Sequence, residues 1–286
     1  MHICSLFLEF SMELNAAFVS RTVSLFGEDR YSRFARALEK EPVVSVRYNV
    51  SKMEPDNSLV RVPWADNGRY LPNRPVFTAD PRFHAGCYYV QEASSMFLEQ
   101  VVKKYVTAPV RALDLCAAPG GKSSHLAEKM AGTGMVEARD LTEYKVSLIE
   151  ENIERHGLEN MNAVQMDATV FDPASVEKAD VLVCDLPCSG LGVMGKKTDI
   201  RYKMTADKQK DLVQLQRQIL DTVHTYVKKG GTLVYSTCTI HRDENAGNVE
   251  WFVKKYPEFE VLSSEQMFPG GAYHDGFFIA KLIRKA

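Results

Sequence analysis

The chain has 286 residues, of which 45% are hydrophobic and 25% are charged, and its formal net charge is 35 − 37 = −2. It contains no run of about 18 apolar residues, which excludes a transmembrane helix, and no general excess of positive charge, so any nucleic-acid contact needs local basic patches. The six cysteines lack disulfide-framework spacing, and the N-terminus lacks the features of a signal peptide, so we expect reduced thiols and a cytoplasmic location.

The first part of the chain is predicted to form a small α+β unit. We interpret residues 1–12 as an extension that can be disordered. Two short amphipathic helices are expected between residues 13 and 40, where apolar residues recur at helical spacing. Apolar and polar residues alternate over 43–49, as in a half-buried strand. Residues 52–82 show no regular pattern and contain several prolines. The sequence therefore predicts a small subdomain over residues 13–84.

The rest of the chain, residues 85–286, is predicted to be one α/β domain in which strands and helices alternate. A helix over residues 91–106 leads into it. The expected strands are 111–116, 134–139, 161–166, 180–185 and 231–236, with a last, antiparallel strand over 276–282. The expected helices are 121–131, 143–156, 206–229 and 243–255. This alternation predicts a mainly parallel sheet flanked by helices, a Rossmann-like α/β arrangement.

In such a sheet, ligands bind beyond the carboxyl ends of the strands, and the first of these ends carries a glycine turn. Residues 114–122 read DLCAAPGGK, in which Gly120 and Gly121 let the backbone approach a ligand closely at the start of a helix. The spacing matches neither the dinucleotide fingerprint nor the P-loop. Two adjacent glycines alone are typical of an ordinary strand-to-helix turn. The prediction of a ligand site therefore depends on all of residues 114–122.

Acidic residues follow the next strands at the same predicted edge. Asp140 ends the second strand, where an acid can hold ribose hydroxyls, and Asp167 follows the third, where an acid can accept from an exocyclic amine. Asp185 ends the fourth strand. Each of these alone is typical of a helix cap or a turn, but their succession at neighbouring strand ends favours a ligand site.

Two cysteines also stand at neighbouring strand ends, Cys188 after Asp185 and Cys238 after the following strand. A lone cysteine is usually a small buried hydrophobic residue, whereas two beside carboxylates and Lys122 favour a reactive thiol. A zinc site is the competing interpretation, but Cys184 and Cys188 have no second pair or histidine cluster, so we expect no metal.

Three motifs together carry a family resemblance: DLCAAPGGK (114–122), DLPCSGLG (185–192) and YSTCTIHRDEN (235–245). They resemble the RsmB/RsmF (Fmu/Sun, Nol-related) family of RNA cytosine-5 methyltransferases, which use S-adenosylmethionine. The similarity begins near residue 13, and its front third is more similar to the RsmF branch, whereas residues 189–201 are more similar to RsmB. The resemblance implies a class I methyltransferase domain with a seven-stranded sheet, preceded by a small RNA-contacting subdomain.

The resemblance also implies a mechanism. Cys238 would attack carbon 6 of a cytosine, which makes carbon 5 a nucleophile for the methyl group. Asp185 would hold or protonate the ring nitrogen, Cys188 would serve the release of the enzyme, and Lys122 would orient the site. The methyl donor, which leaves as S-adenosylhomocysteine, would be held by Cys116, Ala117, Ala118, Pro119, Gly120, Gly121, Lys122, Asp140, Lys145, Asp167 and Asp185.

Local basic residues are the expected contacts for RNA phosphates. They are Lys196, Lys197, Arg201 and Lys203 near Cys188, with Arg47, Arg69 and Arg74 from the small subdomain. A run of charge is also typical of a solvated surface. The expected partner is RNA, with rRNA first and tRNA second, no membrane is involved, and we expect a monomer.

Two other classes of function stay open from the sequence. One is a non-catalytic RNA assembly factor that binds S-adenosylmethionine, and the other is a methyltransferase for a small molecule or DNA. A DNA cytosine-5 enzyme would carry its nucleophile at the proline-cysteine stretch, at Cys188, instead of at Cys238. Separate substitutions of the two cysteines distinguish these mechanisms.

Overall fold

The computed structural model describes residues 14–103, 110–269 and 274–286, so the predicted extension over 1–12 lies outside the described residues. Two helices come first, α1 (Ala16–Phe26) and α2 (Glu28–Leu38). Asn15 caps α1 by accepting a hydrogen bond from the Ala17 amide, which satisfies one of the helix's free N–H groups. The two helices expected before residue 40 are thus present.

A small antiparallel sheet follows the two helices. It consists of β1 (Val44–Tyr48), β2 (Gly68–Leu71) and β3 (Tyr88–Val90), in the order β2-β1-β3. A short helix, α3 (Pro81–His84), lies between β2 and β3. Because β3 pairs with β1, the small sheet continues past residue 84, where we expected the small subdomain to end.

The larger sheet has seven strands in the order β6-β5-β4-β7-β8-β10-β9. Its strands are β4 (Arg111–Asp114), β5 (Met135–Asp140), β6 (Met161–Gln165), β7 (Ala179–Asp185), β8 (Val227–Thr237), β9 (Phe259–Met267) and β10 (Phe277–Arg284). Its helices are α4 (Leu98–Val102), α5 (Gly121–Met130), α6 (Glu143–His156), α7 (Ile200–Lys203), α8 (Ala206–Val223) and α9 (Ala246–Lys255). β4 to β8 pair in parallel, and β10 is antiparallel to both β8 and β9. The predicted fold class is confirmed.

The helices cover both faces of this sheet, because successive strand residues point to opposite sides. Leu182 and Tyr235 pack with Ile219 of α8 on one face, whereas Val183 packs with Ile149 of α6 on the other. Strands covered on both faces read as continuous apolar runs, as β7 does. In the described part of the chain, no helix has the length and apolar character needed to cross a bilayer.

Two expected helices differ from the structure, and one strand was not expected. The helix predicted over 91–106 is a 3₁₀ turn (Ser94–Phe97) followed by α4, and residues 104–109 lie outside the description. The helix predicted over 206–229 ends at Val223, because Val227 already pairs with β7. β9 was not predicted, since this edge strand is mostly exposed and lacks an alternating apolar pattern.

Candidate active site

The turn after β4 is fixed against the end of β5. The Ala117 amide donates to the Arg139 carbonyl at 2.9 Å, and the Ala118 amide donates to the Asp140 carboxylate at 3.0 Å. Gly120 has φ 102°, in the left-handed region that favours glycine, and α5 begins at the next residue. The predicted glycine turn over residues 116–122 is therefore held to the end of β5, in part by the Asp140 carboxylate.

The expected acids of the second and third strands lie at the same edge of the sheet. Lys145 binds the Asp140 carboxylate at 2.9 Å from the first turns of α6. The Met166 amide donates to the Asp140 carbonyl at 2.9 Å, which continues the pairing of β5 with β6 and brings Asp167 to the same edge. Asp167 accepts hydrogen bonds from the amide and hydroxyl of Thr169, and these lower its pKa. Both carboxylates therefore suit hydroxyl or amine donors.

A buried carboxyl group lies beneath this loop at the end of β4. Asp114 is 1% exposed and accepts a hydrogen bond from the Ser123 hydroxyl at 2.6 Å. Burial raises the pKa of Asp114 to about 7, and the charge of Asp185 adds to the effect. Its second oxygen has no hydrogen-bond partner among the described residues. Burial also raises the pKa of the nearby Cys116 thiol.

The end of β7 carries an ion pair at the centre of the site. The Lys122 ammonium group lies 2.7 Å from one Asp185 oxygen, and the Ser236 hydroxyl donates to the other at 2.7 Å. Burial opposes the charge on Lys122, but the Asp185 carboxylate outweighs it, so that the pKa of Lys122 is raised. Asp185 and Ser236 face each other in register across β7 and β8. Ser236 was not singled out from the sequence.

The two cysteines predicted to be reactive meet here. The sulfur of Cys188 lies 3.3 Å from the sulfur of Cys238. A hydrogen bond from the Cys188 thiol lowers the pKa of Cys238, and the positive charges of Lys122 and Lys197 act in the same direction against burial and Asp185. The pKa of Cys188 is raised by the same hydrogen bond and by burial. Cys238 is thus the thiol that ionises first.

The residues singled out for RNA contact divide into two groups. Arg47 is 1% exposed, forms an ion pair with Glu128 at 2.9 Å, and donates to the Gly121 carbonyl at 2.9 Å. Arg69 is 6% exposed and donates to backbone carbonyls of its own subdomain. The prediction that these two contact phosphate is therefore corrected: local sequence does not reveal that both guanidinium groups are buried by other segments. Arg74 is exposed beside the ring of Phe77.

The basic run after Cys188 is largely exposed, but its members differ in their partners. Lys196 binds Asp275 at 2.8 Å, and Lys203 binds Asp199 at 2.9 Å. Arg201 is partly buried and lies 3.5 Å from the Met194 carbonyl. Lys197 is exposed and has no ion pair within the described ranges. Among the described residues, Lys197 is therefore the exposed lysine of the run whose charge is not paired with a carboxylate.

A polar cluster behind the cysteines was missed from the sequence. Glu244 and Gln216 are both fully buried, and both hydrogen-bond to the segment that carries Cys188. Glu244 belongs to the DEN stretch that follows Cys238, but nothing local signals that it turns inward. Within residues 14–103, 110–269 and 274–286, no group of His, Cys, Asp and Glu could hold a metal ion.

Comparisons with known proteins agree with these features. The family model described as 16S rRNA methyltransferase RsmB/F matches residues 107–283, and the model for the N-terminal domain of 16S rRNA methyltransferase RsmF matches residues 14–93. The second match agrees with the RsmF-like front third.

Two curated relatives, both named ribosomal RNA small subunit methyltransferase F, come from Cronobacter sakazakii and Klebsiella pneumoniae. The first is 32% identical over 88% of this chain and 59% of its own length, and the second is 33% identical over 80% and 52%. The chain thus spans little more than half the length of these relatives.

Solved structures share the architecture. The methyltransferase homolog protein from Pyrococcus horikoshii superposes with a TM-score of 0.80 at 30% identity, over 94% of this chain and 95% of that one. NSun6 from the same organism has the same fold, with a TM-score of 0.84 at 21% identity over 95% and 98% of the two chains. On the sequence motifs, the fold and the two family models together, the chain belongs to the RsmB/F family of 16S rRNA methyltransferases.

Proposed function

We propose that this protein is an S-adenosylmethionine-dependent RNA cytosine-5 methyltransferase that acts on ribosomal RNA through a covalent Cys238 adduct. The observation that carries the proposal is the pair of thiols 3.3 Å apart, with the Lys122–Asp185 ion pair beside them. One thiol of lowered pKa and one of raised pKa suit an attack step and a release step. The names of the curated relatives support rRNA as the substrate.

The carboxyl edge of the larger sheet suits the methyl donor. Asp140 and Asp167 offer carboxylates to hydroxyl and amine groups, and the turn over residues 116–122 offers backbone groups and the start of α5. Lys145, whose side chain is 47% exposed, would adjust its contact with Asp140 when the donor binds. Once bound, S-adenosylmethionine supplies a methyl group on a positively charged sulfur.

Carbon 5 of cytosine is too weak a nucleophile to take that methyl group unaided. The Cys238 thiolate donates an electron pair to carbon 6, forming a sulfur–carbon bond, and the electrons of the carbon 5–carbon 6 double bond become available at carbon 5. The lowered pKa of Cys238 increases the thiolate fraction at neutral pH. Cys238 is therefore the proposed nucleophile.

Asp185 is the proposed partner of the ring nitrogen. Attack by Cys238 moves negative charge onto the ring nitrogen, which is stabilised when the nitrogen takes a proton. The proton passes from the Lys122 ammonium group to the Asp185 carboxylate, 2.7 Å away, and from there to the nitrogen, and it returns by the same route on release. Lys122 and Ser236 each bind one Asp185 oxygen, so the carboxyl group is fixed in one orientation. Lys122 thus orients Asp185.

Cys188 is the proposed group for release. After methyl transfer, carbon 5 carries both the methyl group and a proton, and that proton must leave. Its bond electrons re-form the double bond, and the electrons of the sulfur–carbon bond return to Cys238. Cys188 is the proposed base beside the adduct. Once Cys238 is bonded to carbon 6, the hydrogen bond and the charge of Cys238 no longer raise the pKa of Cys188, so that Cys188 can lose its proton and accept the one from carbon 5.

The target base must leave its stack to bring carbon 6 against the Cys238 sulfur, so we expect a loop or a flipped nucleotide as substrate. Lys197 is the proposed phosphate contact in the basic run, with Lys196, Arg201 and Lys203 beside it, and Arg74 for the small subdomain. The protein is proposed to act as a monomer.

The test uses methyl-labelled S-adenosylmethionine with unmodified rRNA and, separately, unmodified tRNA, followed by digestion to nucleosides. Label in 5-methylcytidine from rRNA is the expected result. Label from tRNA alone would transfer the proposal to the second substrate. Label in another nucleoside would contradict the cytosine-5 chemistry. Donor binding without any transfer would favour a non-catalytic assembly factor.

A further inference from the structure

A buried carboxyl group, not used in the reaction described above, lies behind the two cysteines. Glu244 is 0% exposed and ends the 3₁₀ turn that follows Cys238. Its Oε2 atom accepts a hydrogen bond from the Ser189 amide at 2.8 Å, and Ser189 directly follows Cys188. The carboxyl group therefore holds one side of the segment that carries the release cysteine.

Gln216 of α8 holds the other side of the same segment. Its Nε2 atom donates to the Pro187 carbonyl at 2.8 Å and to Glu244 Oε2 at 3.1 Å. Gln216 is itself 0% exposed. The backbone groups immediately before and after Cys188 are thus both attached, directly or through Gln216, to one carboxylate oxygen.

The cluster is itself held rigidly. Asn248 donates to Gln216 Oε1 at 2.7 Å and to the Tyr235 hydroxyl at 3.1 Å. The Tyr235 hydroxyl donates to the Glu244 carbonyl. Because α8, α9 and β8 all contribute, Glu244 has little freedom to follow a displaced loop.

A second link joins the two cysteine segments directly. The Ser189 and Thr239 hydroxyls lie 2.7 Å apart, each one residue beyond its cysteine. Glu244 lies in the Thr239 segment and Ser189 in the other, so the carboxyl group fixes one segment relative to the other. The sulfur–sulfur distance therefore depends on this cluster.

Burying a carboxyl group is costly, and a hydrophobic side chain of similar size would fill the same space at lower cost. Burial indeed raises the pKa of Glu244, although hydrogen bonds from Ser189 and Gln216 oppose the change. We propose that Glu244 is a positioning residue for the release of the enzyme from methylated RNA, because it holds Cys188 within reach of the carbon 5 proton. The inference rests on the proposed function, since release is a step of that reaction.

The prediction concerns the release step of the reaction. Without Glu244, the Ser189 amide and Gln216 lose their acceptor, and Cys188 shifts away from the adduct. Attack by Cys238 and methyl transfer need Asp185 and the donor site, which Glu244 does not contact. A displaced Cys188 also weakens the hydrogen bond that lowers the pKa of Cys238, so the variant and the wild type are compared at a pH at which the rate of attack no longer rises. Glu244→Ala should therefore form the covalent protein–RNA adduct but release it about 10²-fold more slowly, an effect typical of a catalytic group displaced by about 1 Å.

Three variants test this prediction. Glu244→Ala removes the acceptor, whereas Glu244→Gln keeps an oxygen that can accept from both Ser189 and Gln216. Glu250→Ala is the control, because Glu250 is an exposed acid of α9 that forms an ion pair with Arg242. Each protein is mixed with labelled donor and rRNA, and the adduct is measured on denaturing gels beside the yield of free 5-methylcytidine.

We expect adduct to accumulate with Glu244→Ala, and release to be near the wild-type rate with Glu244→Gln and Glu250→Ala. Wild-type release by Glu244→Ala would overturn the inference, as would loss of both adduct and product while donor binding is retained. If Glu244→Ala does not fold, Gln216→Met takes its place. This substitution keeps a similar side-chain volume but removes the hydrogen bond to the Pro187 carbonyl, and the same two results would support or overturn the inference. A wild-type protein that makes no 5-methylcytidine would instead refute the proposed function.

Discussion

The sulfur atoms of Cys188 and Cys238 lie 3.3 Å apart, although 50 positions separate the two residues in the chain. The contact follows from the sheet, because β7 and β8 are parallel neighbours with Asp185 opposite Ser236. Each strand end is therefore followed within three residues by a thiol at the same edge. The arrangement lowers the pKa of Cys238, because the Cys188 thiol donates a hydrogen bond to it.

Replacing the release cysteine should trap the reaction. Cys188→Ala retains Cys238, so attack on carbon 6 proceeds, but the base that removes the carbon 5 proton is lost. We expect a protein–RNA adduct that survives denaturing electrophoresis, and a turnover reduced by about 10²–10⁴-fold. Cys87→Ser, a substitution at another free thiol, is the matched control. Full turnover by Cys188→Ala without a shifted band would remove Cys188 from the mechanism.

The same substitution should change the pH dependence of the first turnover. Attack needs the Cys238 thiolate, so its rate rises with pH through the Cys238 pKa, which the Cys188 hydrogen bond lowers in the wild type. Cys188→Ala removes that hydrogen bond, and the pKa of Cys238 rises. The pH at which methyl transfer reaches half its maximal rate should therefore be higher in the variant, as measured by rapid quenching. An unchanged or lower midpoint would show that Cys188 does not stabilise the thiolate.

The buried Arg47–Glu128 pair should matter for stability. Arg47→Met leaves the Glu128 carboxylate buried without its guanidinium partner, which we expect to reduce the free energy of unfolding by about 3–5 kcal/mol. Urea denaturation followed by circular dichroism measures the change. Lys210→Met, which breaks an exposed pair with Asp207, should change stability by less than about 1 kcal/mol. Equal effects in the two variants would argue against a structural role for Arg47.

Lys197 should contribute to RNA affinity through its charge. Lys197→Ala is expected to weaken rRNA binding and to reduce the slope of log affinity against log salt by about 1, as for one lost phosphate contact. Lys229 is the control, since this exposed lysine lies near the start of β8, at the opposite edge of the sheet. Binding is measured by filter retention over a range of salt concentrations. The same slope for wild type and Lys197→Ala would exclude a phosphate contact.

Much of the architecture could be predicted because the pattern of the larger sheet is local. Buried parallel strands such as β4 and β7 are short apolar runs that end in Asp114 and Asp185, and helices fill the intervals between strands. The family resemblance, which the comparisons confirm, rests on residues at these same strand ends. Strand ends were therefore well placed from the sequence.

The errors have a common physical cause, which is that long-range packing decides the outcome. Tyr226 continues the helical spacing of the apolar residues in α8, but pairing with β7 makes Val227 the first residue of a strand. Arg47 resembles an exposed basic residue in the sequence, although α5 supplies the carboxylate that buries it. Glu244 is likewise a charged residue in a polar stretch, and only the fold shows that it supports the Cys188 segment.

The account depends most on Cys238 as the nucleophile, and one measurement tests this directly. Wild type and Cys238→Ala are incubated with methyl-labelled S-adenosylmethionine and unmodified rRNA, and the digested nucleosides are separated; donor binding shows that both proteins are folded. We expect labelled 5-methylcytidine from the wild type and none from Cys238→Ala. Labelled 5-methylcytidine at the wild-type rate from Cys238→Ala would contradict the mechanism.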